Sequence, residues 1–476
     1  MDRICIIGAL IVGLFYLLLS NKDKFNRECV SQIIVAMYVF SLCFSKLCFP
    51  LYQVYDVTYG SFGPSFRLES HAIFFFILLI IIAQQHSWKI RSPRTIVLIV
   101  ALVYSLYIIF NPFNTVRPSA LIALEYFIFY LIFLYLLSQC FELKTIIEGI
   151  YAGFSITVML HFALAILFPV LGIDAAVTIF NSSAMIRGVE RIGTPGTFGH
   201  PNTLGAFASY YFIFFFSCVL AKFKTKKSII FAVLALIVIF LTASRSALVA
   251  SLIGAIAIVG LYVFRKHKIF SPSTILKGGL PFIAILAVIW FTSPIKTLFT
   301  DIENLEEMSY ARLMHYYCAG EIISDHPLVG VGLNSHLKYL VDNSALIDLE
   351  KTFENTDIEI WDPETFMFEN PIHNIWLILL CELGIIGTIP IFFYIGRFFY
   401  KFKKRIAQND AQYHHIILNT TLGIIVCLIV HGMSDWTPLT QTCLNVSLLF
   451  LYLSSYSSHI SAQKGETSSS PVLSTT

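Results

Sequence analysis

Four arginines, a histidine and a carboxylate in this 476-residue chain have the types and spacing to hold an anion and move a proton. Arg187 and Arg191 lead into "GTPGTFGHPNTLGAFASYY", where Gly and Pro dictate a non-helical loop from Gly193 to Pro201 and Asn202 opens the next apolar helix. Backbone N–H groups, a helix N-terminus and an arginine converging there suit an anion. Arg245 sits in "LTASRSALVA", a turn so short that its guanidinium must lie at the membrane surface between two helices. Arg312 lies in "MSYARLMHYYCAGEIISDHPLVGVG", where Tyr310, Leu313, Tyr317 and Ile322 at helical spacing predict an amphipathic helix ended by Asp325-His326-Pro327. An arginine presents a planar, permanently charged fork that matches phosphate oxygens. A lone interfacial arginine commonly snorkels or pairs with an acid, and that reading fits Arg187 taken by itself. Arg245 has no acid beside it in sequence, and a tight interhelical turn is a costly place for a charge.

The proton acceptor comes from "ENPIHNIWLILLCELGIIG", residues 369–387, where Pro371 directs the approach and His373-Asn374 stand as the chain returns to the membrane. A neutral imidazole there can take the proton of a sugar hydroxyl. His373 can also serve as a helix cap or an interfacial anchor. Glu382 lies nine residues deeper, and a carboxylate at that depth needs a role or a partner. Gly384 and Gly387 nearby would permit close helix packing.

The elements that must position these residues are membrane helices. Hydrophobic residues make up 57% of the chain, charged ones 13%, and mean hydropathy is +0.76. About thirteen apolar runs are long enough to span, near 4–20, 29–49, 68–85, 95–110, 119–140, 145–171, 201–221, 228–243, 246–264, 277–293, 373–396, 416–434 and 439–456. The fold class expected is therefore all-α and polytopic, with about 12–13 transmembrane helices and one large external segment. The divisions are helices in 1–171, helices with the external loop 172–200 and the Arg245 turn in 172–293, the external segment 294–372, helices in 373–456, and a Ser/Thr-rich disordered tail 457–476. The opening segment has no small-residue cleavage site and reads as a first membrane helix.

Basic residues set the orientation. Lys22/Lys24/Arg27, Lys89/Arg91/Arg94, Lys222/Lys224/Lys226/Lys227, Arg265/Lys266/Lys268 and Lys401/Lys403/Lys404/Arg405 fall on one side when the spans alternate, so that side is cytoplasmic. The arginine loops, the 294–372 segment and, by parity, Met1 lie outside. The net charge of +3 hides this segregation: residues 294–372 hold four basic against fifteen acidic side chains. Nucleic acid is excluded as a partner, and membrane lipids are implied. Most of the ten cysteines fall in spans, with Cys318 the cysteine of the external segment, so no disulfide framework is expected. His414-His415 lacks the spacing of a metal site, and no DxD-like pair stands out among the external acids.

"GTFGHPNTLGAFASYY", "LTASRSALVA", "HPLVGVGLNS" and "HNIWLILLCELGIIG", in this order, resemble the O-antigen ligase and O-antigen polymerase superfamily of bacterial envelope proteins, over residues 180–436. The resemblance implies a GT-C-like, metal-independent, inverting glycosyltransferase of lipopolysaccharide biosynthesis. It would act on an undecaprenyl-diphosphate-linked glycan at the periplasmic face of the inner membrane, without a cofactor. It implies that Arg245 and Arg312 bind the diphosphate, that Arg191 or Arg187 adds a further contact, and that His373 activates the acceptor hydroxyl. Asn202, Asn374 and Glu382 would support them. A ligase would use lipid A–core oligosaccharide as acceptor, and a polymerase the next lipid-linked repeat. Some polymerases carry a glycine eleven positions after an arginine. Here Phe198 follows Arg187, Asn202 follows Arg191 and Ile323 follows Arg312 at that distance, which favours ligase. A related protein O-oligosaccharyltransferase is a further alternative. A lipid-linked glycan flippase would need midplane charges and inverted repeats, whereas His161 and Glu382 are the main polar exceptions here and no repeat is seen.

Overall fold

The computed structural model describes residues 24–44, 48–53, 65–69, 72–85, 111, 117–171, 185–186, 189–190, 193–198, 200–266, 302–343, 371–407 and 411–468. The expected spans at 4–20, 95–110 and 277–293 lie outside these residues, as do Arg187 and Arg191. Helices occupy the places of the other ten: α1 (Lys24–Ser41), α2 (Ala72–Gln85), α3 (Arg117–Cys140), α4 (Leu143–Leu171), α5 (Pro201–Leu220), α6 (Thr225–Leu241), α7 (Arg245–Lys266), α10 (Ile375–Ala407), α11 (Gln412–Gly432) and α12 (Gln441–Ser468). Between α7 and α10, the long segment contributes α8 (Ile302–Asp325) and α9 (His336–Asp342). The chain is an all-α polytopic membrane protein. Among the described residues, Leu143–Phe168, Pro201–Leu220, Ile375–Phe402 and Gln412–Gly432 are long and apolar enough to cross a membrane, and four shorter apolar helices accompany them.

Several boundaries differ from the sequence reading. The run 29–49 ends as helix at Ser41, because Cys48–Gln53 (β1) leaves to pair antiparallel with Ser65–Glu69 (β2). A second ribbon pairs Met185–Ile186 (β3) with Val189–Glu190 (β4). α12 runs on to Ser468, where a disordered tail from 457 was expected. Its polar end is a continuation of a helix already nucleated by an apolar one, so each added residue needs only propagation.

α5 is at the centre. It is apolar around its circumference, and a helix of that kind must be buried on all sides: Phe207, Tyr210, Tyr211, Phe214 and Phe215 are all inside. α4, α6, α7 and α11 pack around it. Small residues let α7 and α11 approach: a Cβ on Gly205 would lie 2.9 Å from that of Ala247, and one on Gly423 2.5 Å from Ile213. Hydroxyls in this apolar interior bond to carbonyls and to each other, as Ser209 Oγ does to Gly205 O (2.9 Å) and Ser251 Oγ to Ser209 Oγ (2.8 Å).

The two ends of the bundle are tied together by different contacts. At one end Lys144 meets Glu28 (2.8 Å), Lys224 meets Glu148 (2.8 Å), Tyr413 bonds Glu148 (3.1 Å), and Gln412 bonds the Ala221 carbonyl (2.9 Å). The loop 193–200, the turn 242–245, the start of α10 and the turn after α11 meet at the other end, joined by Thr194 N–H to Leu241 O (2.9 Å), Asn202 to Asp435 (2.6 Å) and Asn374 to Met433 O (3.1 Å). Asn202, Arg245 and Asn374 therefore sit at the end opposite the lysine-rich loop 222–227.

Candidate active site

The loop that follows Gly193 is a plug rather than a flap. Thr194 to Phe198 are buried. Thr197 Oγ1 donates to the Cys43 carbonyl and lies 3.0 Å from His161 Nε2, and the Phe198 ring stands 5.0 Å from that of Phe207. His161, a polar exception within the span, therefore holds this loop. Gly193 has φ +123°, and a side chain there would overlap the Thr242 carbonyl, so the loop lies directly against the turn that carries Arg245. α5 begins one residue before the expected Asn202. Pro201 takes the first helical position and His200 is the cap, its Nδ1 accepting from Asn202 N–H (3.0 Å). The acid that meets this helix start belongs to the chain itself: Asn202 Nδ2 donates to Asp435 Oδ2 at 2.6 Å.

α8 supplies the second set. Its buried face is Met314, His315, Cys318, Ala319 and Ile322, while Leu313 is 52% exposed. The expected apolar face is thus corrected at Leu313, with Ile322 inside and Tyr317 half-buried, while the Tyr310 side chain lies outside the described residues. Tyrosine is amphipathic and satisfies either face, so the pattern was ambiguous. Arg312 and His315, three apart, share a side of the helix. Arg245 is half-buried at the head of α7; desolvation first, and then repulsion from Arg312, act against its charge. The charges of Arg245 and Arg312, on separate elements, therefore repel one another, which an intervening anion would relieve.

His373 completes the group. Its ring stacks on buried His315, with centroids 4.7 Å apart and planes 15° apart. The adjoining Asn374 is the cap of α10, its Oδ1 accepting from Trp376 N–H (2.9 Å) and Leu377 N–H (3.2 Å) while Nδ2 reaches Met433 O. Behind them Asp435 is buried in the turn after α11. Burial pushes its carboxyl up, but His431, His373, the Thr437 N–H (2.9 Å) and His200 more than offset this and hold it below its ordinary value. Asp435 is thus an anion facing three histidines and Asn202. The sequence reading missed it, although the test that selected Arg245, a charge in a short turn between apolar spans, would have found it. His200 and His315 were also missed.

Glu382 does not join this cluster. Its Oε1 lies 2.6 Å from His336 Nδ1, with both side chains buried, and it is the partner that the depth argument required. Among the described residues no group of three His, Cys, Asp or Glu side chains could hold a metal ion. Residues 230–392 match the O-antigen ligase family model. The match supports the resemblance to the O-antigen ligase and polymerase superfamily. The matched region contains Arg245, Arg312, His315, His336, His373 and Glu382, and it leaves Asn202 and Asp435 on either side. Comparison with curated proteins returns no match.

Proposed function

We propose that the chain is an O-antigen ligase that transfers an undecaprenyl-diphosphate-linked glycan to a hydroxyl of lipid A–core oligosaccharide at the periplasmic face of the inner membrane. The observation that carries this reading is the continuity from Arg245 through Arg312 and His315 to His373 and Asp435: two cations for a diphosphate beside an imidazole backed by an anion. The acceptor oxygen attacks the anomeric carbon from the face opposite the diphosphate. The new C–O bond forms as the bond to the diphosphate oxygen breaks, which inverts the centre. His373 takes the hydroxyl proton as general base, and Asp435 stabilises the imidazolium that results. The departing diphosphate gains charge, and Arg245 and Arg312 stabilise it without a metal. Arg191 or Arg187 would add a further contact. The lysine-rich loop at the opposite end of the bundle agrees with a cytoplasmic side there and an external site.

The deciding assay supplies purified protein with a lipid-diphosphate glycan and, in separate arms, lipid A–core or a second lipid-linked repeat. Transfer to the core makes the chain a ligase, and transfer to the repeat makes it a polymerase. His373→Ala should bind the donor yet lose about 10²- to 10⁴-fold in turnover. Normal turnover by that variant would remove His373 from the mechanism.

A further inference from the structure

α10 is not continuous. At Gly384 the backbone has φ 61° and ψ −173°, which breaks the helix within the apolar stretch that opens it. The groups freed by the break bond to the loop leaving α8. Val331 N–H donates to Cys381 O (2.8 Å) and Gly332 N–H to Glu382 O (3.0 Å), while Ile385 N–H donates to Pro327 O (3.0 Å) and Ile386 N–H to Leu328 O (3.0 Å). Side chains are excluded on both sides. A Cβ on Gly330 would lie 2.5 Å from the Cys381 carbonyl oxygen, and one on Gly384 would overlap the Leu328 carbonyl. Gly330, Gly332 and Asn334 all have positive φ, so the loop path depends on residues that tolerate it. Asn111 Nδ2 adds a bond to Val329 O (3.1 Å). A buried side-chain closure across this junction joins Glu382, at the break, to His336, the first residue of α9.

The segment clamped in this way is the one that carries Arg312 and His315, and the helix it is clamped to begins just after His373. We infer that the Glu382–His336 pair is a positioning device that locks the loop 327–332 into the break of α10, and thereby holds Arg312 and His315 in register with His373. The inference rests on the transfer reading above. It assigns Glu382 and His336 a role through other residues, with no contact to substrate. Beside the clamp, α8 is held by apolar packing through Cys318, Ala319 and Ile322, by Cys381 Sγ reaching the Ala319 carbonyl (3.7 Å) and by Tyr339 OH donating to Asp325 (3.2 Å).

The test uses full-length protein in lipid nanodiscs. Glu382→Ala should lower kcat on the order of 10²-fold, the penalty of a small misplacement of catalytic groups. Glu382→Gln, whose amide oxygen still accepts from Nδ1–H, and His336→Asn, whose amide still donates, should each stay near wild type. In an Arg312→Ala background the added loss from Glu382→Ala should largely vanish, because the residue it positions is gone. Hydrogen exchange at the amides of Val331, Gly332, Ile385 and Ile386 should accelerate at least about tenfold in Glu382→Ala and remain unchanged in α5. Should Glu382→Ala not be recovered folded, His336→Leu carries the same expectations. Fully multiplicative losses with Arg312→Ala, or unchanged exchange at the four amides, would overturn the inference. A wild-type protein without transfer activity would sink the function and the catalytic half of this inference together, whereas normal transfer with unchanged exchange would sink the lock alone.

Discussion

Neutralising Asp435 without changing its shape isolates what the buried anion does. In Asp435→Asn the amide oxygen can keep one of the two bonds now made to Asn202 Nδ2 and Thr437 N–H, and the Asn202 amide can turn to accept from the new NH₂. The fold therefore has a satisfied alternative. Hydrogen bonds to a charged acceptor are worth about 1.5–3 kcal/mol and neutral ones about 0.5–1.5, so two such replacements cost about 2 kcal/mol of folding stability. The rate effect comes instead from the lost stabilisation of His373 as it gains the proton, where a loss of about 2 kcal/mol is roughly 30-fold. Turnover in the lipid-diphosphate assay should fall by at least this factor, while the donor KM stays within about threefold because the arginines are untouched. Stability supplies a second readout with a definite sign. A carboxyl held below its ordinary value contributes stability above the unfolded pKa, near 4, and loses it as pH falls through its lower folded value. Wild-type Tm should therefore drop on acidification below about pH 4 more steeply than that of Asp435→Asn. Turnover within about threefold of wild type in the folded variant would refute the assignment of Asp435 to the transfer step.

Arg245→Lys keeps the charge but loses the planar fork, so transfer should fall strongly at normal membrane abundance; wild-type transfer would return Arg245 to a role in packing or snorkelling. Gly384→Ala forces a side chain onto a left-handed backbone and into the Leu328 carbonyl, and thermal unfolding should show a loss of about 2 kcal/mol or more. Cys318 is buried and its thiol is pushed up to about 12 by desolvation, so a thiol reagent at pH 8 should label it only after denaturation.

The helices were legible because apolar run length is dictated by membrane thickness, a constraint that each segment obeys independently. Arg245, Arg312 and His373 stood out as candidates for a related reason: a polar or charged group near an apolar span is costly and asks for a role or a partner. What pairs across the fold was not. Glu382 asked for a partner, but nothing in "GLNSH" marks His336 as that partner, since the two meet only when the loop enters the break. Gly384 was read as a helix-packing glycine. It does allow close approach, but to a loop backbone and through loss of helical geometry, which a periodic apolar pattern does not register. The β-ribbon of Cys48–Gln53 and Ser65–Glu69 overlaps the ends of the runs 29–49 and 68–85 and lies mostly between them, where no strand was expected.

The burial of α5 on every side bears on how the chain is made. α11, which covers α5 and α7 together through Gly423 and Cys427, is synthesised some 190 residues after α5 leaves the ribosome, by residue number 220 to 412. Until then the faces of α5 and α7 that will receive α11 stand against lipid, chaperone or translocon. Nascent chains stalled before residue 412 should accordingly be substrates for membrane-protein surveillance proteases, and residues 412–468 act as the closing stave of a bundle whose centre was laid down first.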